Sequence, residues 1–404
     1  MDRVRPKILI VLYHSWVDSA SGAAISLRDA VKSLAERGWP VRVFCGPLID
    51  SSEKTCEQML RDHGIAYQEC TGNATGCAGG FRTLAFRDGL IPVVQYIPDG
   101  PSPHQTMPNE SNAPAWVQMY REMLDQWHPQ IVITYGGYGL CIPTLQMARN
   151  RGIRTVFWLC NFAYTDASMF SNVSLTITAS QYHTDEYRRT IGIDSTPVYP
   201  LIHREILDSD TPADPKYITF VNPIPQKGVF IFARIAEILS RERPEIPLLV
   251  VEGRSDTRWL GRTGLKPDQM KSIFRMRNTP CPSDYYRVSK IVLMPSLCCE
   301  TFGRVAVEAM ICGIPVLTST RGSLPEVVGC SEWTMDIPTR YTPDTHQMPS
   351  EVEVRPWIDM ILKWWDDPQE YSIASAHARQ LSNRWNEMET INRLESVLES
   401  LETV

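Results

Sequence analysis

Apolar positions along the chain fall into short blocks whose spacing alternates between two periods. Ile8–Tyr13 is an unbroken apolar run rich in β-formers, which predicts a strand buried on both faces. A small-residue loop follows, His14 to Ala23. The spacing then turns helical: Ile25, Leu27, Ala30, Val31 and Leu34 share one face between Ala24 and Arg37, and Gly38 stands at the C′ position. Strand signals recur at Val41–Phe44, Ile131–Thr134, Thr155–Leu159 and Thr176–Thr178, with a helix predicted over Thr144–Arg151.

The pattern pauses near Pro197–Ile202 and begins again. Tyr217–Val221 predicts a strand, Asn222–Gly228 a loop, Val229–Ser240 a helix, and Leu248–Glu252 and Ile291–Pro295 further strands. Alternation of this kind predicts an α/β chain of two doubly wound, Rossmann-like domains, each a parallel sheet covered by helices. The expected boundaries are 1–200, 201–384, and a C-terminal helix from 385 to 404 packing back on the first domain. Ligands are expected in a cleft at the carboxyl ends of the strands. Val354–Trp365 reads as a helix whose Trp357, Ile361 and Trp364 serve packing. Residues 92–114, with six prolines and little periodicity, read as a surface loop, or as a lid or binding flap.

Composition narrows the partners. The 404 residues are 43% apolar and 21% charged, which excludes a disordered chain. Forty basic against 46 acidic residues give a net charge of -6, and residues 1–200 hold 17 basic and 18 acidic groups, so neither half is basic. This argues against nucleic acid as a partner and leaves peripheral membrane contact open but not indicated. Apolar runs fall far short of the roughly 20 residues of a bilayer span, and the N-terminus leads into a strand without a signal-peptide pattern. Eleven cysteines without a C-x-x-C pair fit a reduced cytoplasmic protein, and the sequons at Asn73, Asn109 and Asn172 are read as chance matches.

The densest chemistry lies between Lys290 and Gly329. A buried strand ends at Pro295, a loop carries Glu300, and a helix opens at Gly303, whose bare backbone makes an anion-binding end. Glu308 lies inside that helix with Arg304 one turn before it on the same face. Amides for a phosphate, together with carboxylates for hydroxyls, suit a phosphorylated polyol.

Glu300, seven intervening residues and Glu308, with Phe302-Gly303, Glu308-Ala309-Met310, Gly313-x-Pro315-Val316 and Pro325-Glu326-Val327-Val328, resemble the donor site of family 4 glycosyltransferases of GT-B fold. The resemblance implies transfer of a sugar from a nucleotide-diphosphate donor, UDP- or GDP-linked, with retained anomeric configuration. It implies no metal and no separate cofactor, and an acceptor hydroxyl that is not identified. It places Glu300 at the donor sugar and Glu308 at the ribose, with Thr301, Phe302 and Gly303 between them. In this type of transfer a departing phosphate oxygen takes the acceptor's proton.

The same resemblance assigns Lys227-Gly228 to the diphosphate, while Asn222 stands where the family carries an Arg. Arg304 or Arg254 is a candidate replacement, or else an ordinary ion-pair partner. Asn278 and Thr279 are candidates at the donor base. In the first half, His14 and Gly22 border the loop after the first strand, and Tyr135-Gly136 ends the strand Ile131–Thr134. Asn161 stands where many members carry a His. These five are acceptor-side candidates, with a polar strand end or a tight turn as the alternative. Asp208-Ser209-Asp210 has the letters of a metal-binding triplet but lies outside any strand end. The rival function is a degenerate relative that binds sugar nucleotides or scaffolds partners without catalysis, kept open by Asn222 and Asn161.

Overall fold

In unit 1, residues 1–201 and 388–404, nine strands form one sheet. They are β1 (Ile8–His14), β2 (Val41–Leu48), β3 (Tyr67–Asn73), β4 (Gly80–Asp88), β5 (Ile91–Pro98), β6 (Ile131–Thr134), β7 (Arg154–Trp158), β8 (Leu175–Thr178) and β9 (Thr196–Pro197). Their order is β3-β4-β5-β2-β1-β6-β7-β8-β9. The computed structural model describes residues 5–18, 21–50, 54–73, 80–137, 139–207, 214–253, 257–279 and 281–402.

The apolar run of β1 serves two cores, as a doubly covered strand must. Ile8, Ile10 and Leu12 join the helix Gly22–Glu36 on one face. Leu9, Val11 and Tyr13 join Phe44, Trp116, Tyr120 and Tyr187 on the other. Gly38 holds φ +86° just past the helix, the left-handed turn its position predicts.

The sheet is not purely parallel. β4 pairs antiparallel with both β3 and β5, so a meander extends the edge beyond β2. Residues 92–98 therefore belong to a strand and not to the surface loop read from the prolines. Pro92 and Pro98 stand at its ends, while Val93, Gln95, Tyr96 and Ile97 are buried between them. Only the remainder, through the short 3-10 turn Pro103–Gln105, runs to the helix Ala113–Trp127 as connection. The overlooked signal is Gly89-Leu90, the two-residue hairpin turn between the paired Asp88 and Ile91, with Gly89 at φ +60°.

The helix Glu387–Glu399 contributes Ile391, Leu394, Val397 and Leu398 to the same core as β1. Its Glu395 is nearly buried and accepts hydrogen bonds from Arg5 Nη1 at 2.6 Å, Arg37 Nη2 at 2.6 Å and Trp39 Nε1 at 2.8 Å. Three donors from the first forty residues thus converge on one carboxylate near the C-terminus.

Unit 2, residues 202–387, has a six-stranded sheet, parallel throughout. Its strands are β10 (Tyr217–Val221), β11 (Leu248–Val251), β12 (Ile273–Met276), β13 (Ser289–Met294), β14 (Val316–Ser319) and β15 (Thr334–Met335), in the order β12-β11-β10-β13-β14-β15. The helix Val229–Glu242 buries Phe230, Phe232, Ile235, Ile238 and Leu239, with Phe232 stacked on Phe220 of β10 at 4.7 Å.

Glu395→Gln should cost about 3 kcal/mol or more, because it leaves Arg5 and Arg37 beside an uncharged, nearly buried partner. Urea unfolding followed by tryptophan fluorescence measures it; a loss below about 1 kcal/mol would make the cluster a surface ion pair.

Candidate functional site

Each sheet reverses its winding once. In unit 2, β10 leads outward to β11 and β12 while β13 leads the other way to β14 and β15, so the reversal lies between β10 and β13. The loops after these two strands diverge, and this is where doubly wound sheets bind ligands. Both loops of the family motif spring from this point.

After β10 the chain turns sharply at Asn222, a non-glycine residue at φ +62°, and enters a 3-10 turn ending in Lys227. Gly228 holds φ +84° against the β13 end; a Cβ there would lie 1.9 Å from the Pro295 carbonyl oxygen. The amides of Leu297 and Cys298 both donate to the Gln226 carbonyl, at 2.9 and 3.1 Å, which zips the two loops together. Lys227 Nζ consequently donates to Glu300 Oε1 at 2.5 Å.

Glu300 is 9% exposed and its Oε1 also accepts the Ser296 hydroxyl at 2.6 Å. Gly322 sits so close that a Cβ would come within 2.3 Å of the Glu300 amide, which pins the backbone. Burial by itself would raise the Glu300 carboxyl; the Lys227 ammonium and the hydrogen bonds from Lys227 and Ser296 outweigh it and hold the group below the usual carboxylate range. The neighbouring Cys298 thiol is pushed up by burial, to about 11, so it is no thiolate nucleophile at neutral pH.

The second carboxylate lies one turn into the helix Arg304–Ile311, which Gly303 opens at φ +98°. Glu308 accepts from Arg304 Nε at 3.2 Å and from the Tyr286 hydroxyl at 3.0 Å. Both members of the Arg304–Glu308 pair are largely buried, so Arg304 is an ion-pair partner of Glu308 on a covered face of the helix. Phe302 is buried edge-to-face on Trp385, a packing residue as far as its side chain is concerned. Asn278 is exposed beyond β12, and Thr279 accepts the Cys281 amide and donates to Asp284, shaping the turn before the helix Ser283–Tyr286. Arg254 and the Asp208-Ser209-Asp210 triplet lie outside the described residues. Ser296 and Tyr286 escaped the sequence reading, since only the β13 end and the helix packing bring them to the two carboxylates.

In unit 1 the reversal lies between β1 and β6. His14 ends β1 and Tyr135 follows β6, and the Tyr135 hydroxyl lies 3.0 Å from His14 Nδ1. His14 Nε2 faces Asp18 Oδ2 at 3.1 Å and Asp50 Oδ1 at 3.5 Å. Among the described residues this is the one group of three His, Cys, Asp or Glu side chains whose ligand-capable atoms approach within 4.8 Å of one another. Neither Asp was singled out from the sequence.

Gly22 merely starts a helix, with open space where a Cβ would stand. Gly46 is packed tightly instead, where a Cβ would lie 2.4 Å from the Tyr13 carbonyl oxygen. Gly136, at φ +93°, makes a tight turn, and the Tyr164 ring packs on the adjoining Gly137. Asn161 is exposed and its side chain accepts the Ala163 amide, while its carbonyl accepts from His183 Nε2 at 3.2 Å and the Tyr187 hydroxyl at 2.9 Å. The Ala179 amide donates to His183 Nδ1, so His183 is the neutral Nε2–H tautomer.

With this geometry in view, the comparisons with known proteins are informative. Residues 204–335 match the family described as glycosyl transferases group 1. The match lies within unit 2 and takes in both loops described above. Residues 282–393 also match a description of family 4 glycosyltransferases in conflict systems.

A D-inositol 3-phosphate glycosyltransferase of Thermobispora bispora is 30% identical over 209 residues, covering 48% of this chain and 45% of that protein. One from Mycobacteroides abscessus is 32% identical over 151 residues, 35% of this chain and 33% of that protein. The chain thus matches less than half the length of these relatives. Over 99% of this chain the fold is that of sucrose-phosphate synthase from Thermosynechococcus elongatus, covering all of that structure (TM-score 0.68, 16% identity). Anabaena HepE, solved with UDP and glucose, is matched to the same extent (TM-score 0.67, 15% identity). The chain therefore has the GT-B fold.

Burial lowers the fully buried His183 to about 4. A His whose folded value lies below its unfolded value favours the folded state at neutral pH and loses that contribution as acid protonates the unfolded chain. Unit 1 should therefore lose roughly 3 kcal/mol between about pH 6.5 and 4, and His183→Gln should flatten that limb. Denaturant titrations at a series of pH values read it directly; an unchanged limb in the variant would show that His183 does not govern it.

Proposed function

We propose that the protein is a retaining glycosyltransferase that moves a sugar from a nucleotide-diphosphate donor, UDP- or GDP-linked, to an acceptor hydroxyl. The observation that carries this reading is the Lys227–Glu300 pair at the winding reversal of unit 2, within the residues that match the group 1 glycosyl transferases. A cation fixed beside a buried, ionised carboxylate meets two demands of such a transfer. Lys227 offsets the charge that develops on the departing diphosphate, and Glu300 lies where the sugar, gaining oxocarbenium character, needs negative charge. Glu308, oriented by Tyr286 and Arg304, is the acceptor of hydrogen bonds from the ribose. Relatives named for glycosyl transfer, and HepE with its UDP and glucose, support the class of donor. Arg304 already faces Glu308, so Lys227 and the amides at Gly303 are the groups proposed to hold the diphosphate.

A thermal-shift screen with UDP-, GDP- and ADP-sugars, followed by assay of nucleoside diphosphate release, tests the reading. A shift with one donor and release of its diphosphate support it. Binding without release identifies the non-catalytic relative instead, and no shift with any of them rejects the donor class.

Lys227→Ala should lower turnover about 10²–10³-fold, the usual loss for one preorganised charge-stabilising contact. The same change removes the charge that keeps the Glu300 carboxyl low, so burial should move the acidic limb of the rate profile upward. Turnover within threefold of the parent would take Lys227 out of the site. Transfer should also persist in EDTA, because the proposed diphosphate contacts are a side-chain cation and backbone amides. Loss of activity in EDTA and recovery with magnesium would overturn this.

A further inference from the structure

At the winding reversal of unit 1, a strand end and two loops bring ligand-capable atoms to one point. His14 closes β1, Asp18 follows it in the next loop, and Asp50 lies in the loop after β2. His14 Nε2 is 3.1 Å from Asp18 Oδ2 and 3.5 Å from Asp50 Oδ1, and one ligand atom from each residue falls within 4.8 Å of the other two. Asp18 is completely buried, and its Oδ2 accepts the Asp50 amide at 2.7 Å, so backbone fixes the inner carboxyl group. The Asp50 side chain forms the open side, 35% exposed.

Two carboxyl groups held this close, one of them dry, are stable as anions only with positive charge between them. A proton on His14 Nε2 would supply it through a hydrogen bond. That nitrogen is buried, yet neither carboxyl group is placed to accept a hydrogen bond from it. The separations fit the edges of a coordination sphere instead. Bonds of about 2.0–2.2 Å at tetrahedral or octahedral angles set neighbouring ligand atoms roughly 2.8–3.6 Å apart.

The surroundings of the ring agree with this. With Nε2 turned to an ion, Nδ1 keeps the proton and donates it to the Tyr135 oxygen, 3.0 Å away. A ligating imidazole is generally oriented by such a partner on its other nitrogen. The backbone is shaped as well. Between Leu12 opposite Cys45 and His14 opposite Leu48, two steps on β1 span three on β2, a bulge of the kind that re-aims side chains at strand ends.

We propose that His14, Asp18 and Asp50 form a binding site for a divalent transition-metal ion, with the remaining coordination positions open to water. One ring nitrogen and two carboxylate oxygens suit Mn²⁺, Fe²⁺ or Zn²⁺, whereas Mg²⁺ and Ca²⁺ favour shells made wholly of oxygen. The ion clips the loops after β1 and β2 to the end of β1. No step of the transfer proposed above passes through it, so emptying this site with EDTA and the persistence of transfer in EDTA are separate expectations.

Manganese is the probe, because thiols scattered through the chain would compete for Zn²⁺. The whole protein, stripped with EDTA and exchanged into chelator-free buffer, should take up a single equivalent of Mn²⁺, read as loss of the free-ion EPR signal. Asp50→Asn and His14→Gln should each weaken that binding at least about tenfold, since even a change behind a ligand costs about 10–100-fold. Asp50→Asn keeps the backbone amide that holds Asp18, so its metal-free circular dichroism and thermal unfolding should match the parent's. With the histidine rings labelled with carbon-13, Mn²⁺ should broaden His14 first of the eight histidines. An imidazolium paired with both carboxylates would leave Mn²⁺ free, and that result overturns the proposal. Equal binding by the parent and both variants overturns it too, as does displacement of Mn²⁺ by equimolar Mg²⁺.

Discussion

A right-handed crossover can leave a parallel strand toward only one of its neighbours, so a sheet wound in both directions must part its loops somewhere. In this chain that constraint acts twice, between β1 and β6 and between β10 and β13. What is built at each parting is a short ladder of polar side chains on top of a dry core. Lys227, Glu300 and Ser296 occupy one, and His14, Asp18, Asp50 and Tyr135 the other. The sheets beneath supply rigidity; β1 is buried along six of its seven residues and β10 along its middle three, and their helices cover them with Leu27, Val31 and Phe232.

The two ladders handle buried charge differently. In unit 2 the carboxylate is matched by a full cation, which keeps it ionised despite burial. In unit 1 the buried Asp18 side chain accepts the Asp50 amide and lies 3.1 Å from the His14 ring. One site pairs its carboxylate with a cation, and the other sets its buried acid against a backbone amide. The same constraint of topology therefore hosts two distinct electrostatic designs.

Much of this was legible in the residues. Tyr217–Val221 and Val316–Ser319 coincide with their predicted strands because both are continuous apolar runs bounded by turn residues. The loops holding Lys227, Glu300 and Glu308 could be read from spacing, since each is a few residues from a strand end or helix start. The meander β3-β4-β5 was not readable in the same way. β3 has an even mixture of polar and apolar residues, and the prolines at the ends of β5 obscured the buried core between them. Asp50, Ser296 and Tyr286 were invisible for another reason: each acquires its role from a partner on a different element, and no local pattern encodes that. Gly46 was equally hidden, because its need for glycine comes from the Tyr13 carbonyl on the neighbouring strand.

The carboxylate of Glu395 bears on the order in which the chain can be assembled. Unit 2 is continuous in sequence, but unit 1 draws its last helix from beyond it. During synthesis, residues 1–201 emerge with β1 in place and with Arg5, Arg37 and the Trp39 indole lacking the group that later joins them. The face made by Ile8, Ile10 and Leu12 likewise waits for Leu394 and Leu398. Unit 2 is thus complete in sequence before unit 1, which receives its last core helix only when residues 388–404 have been made.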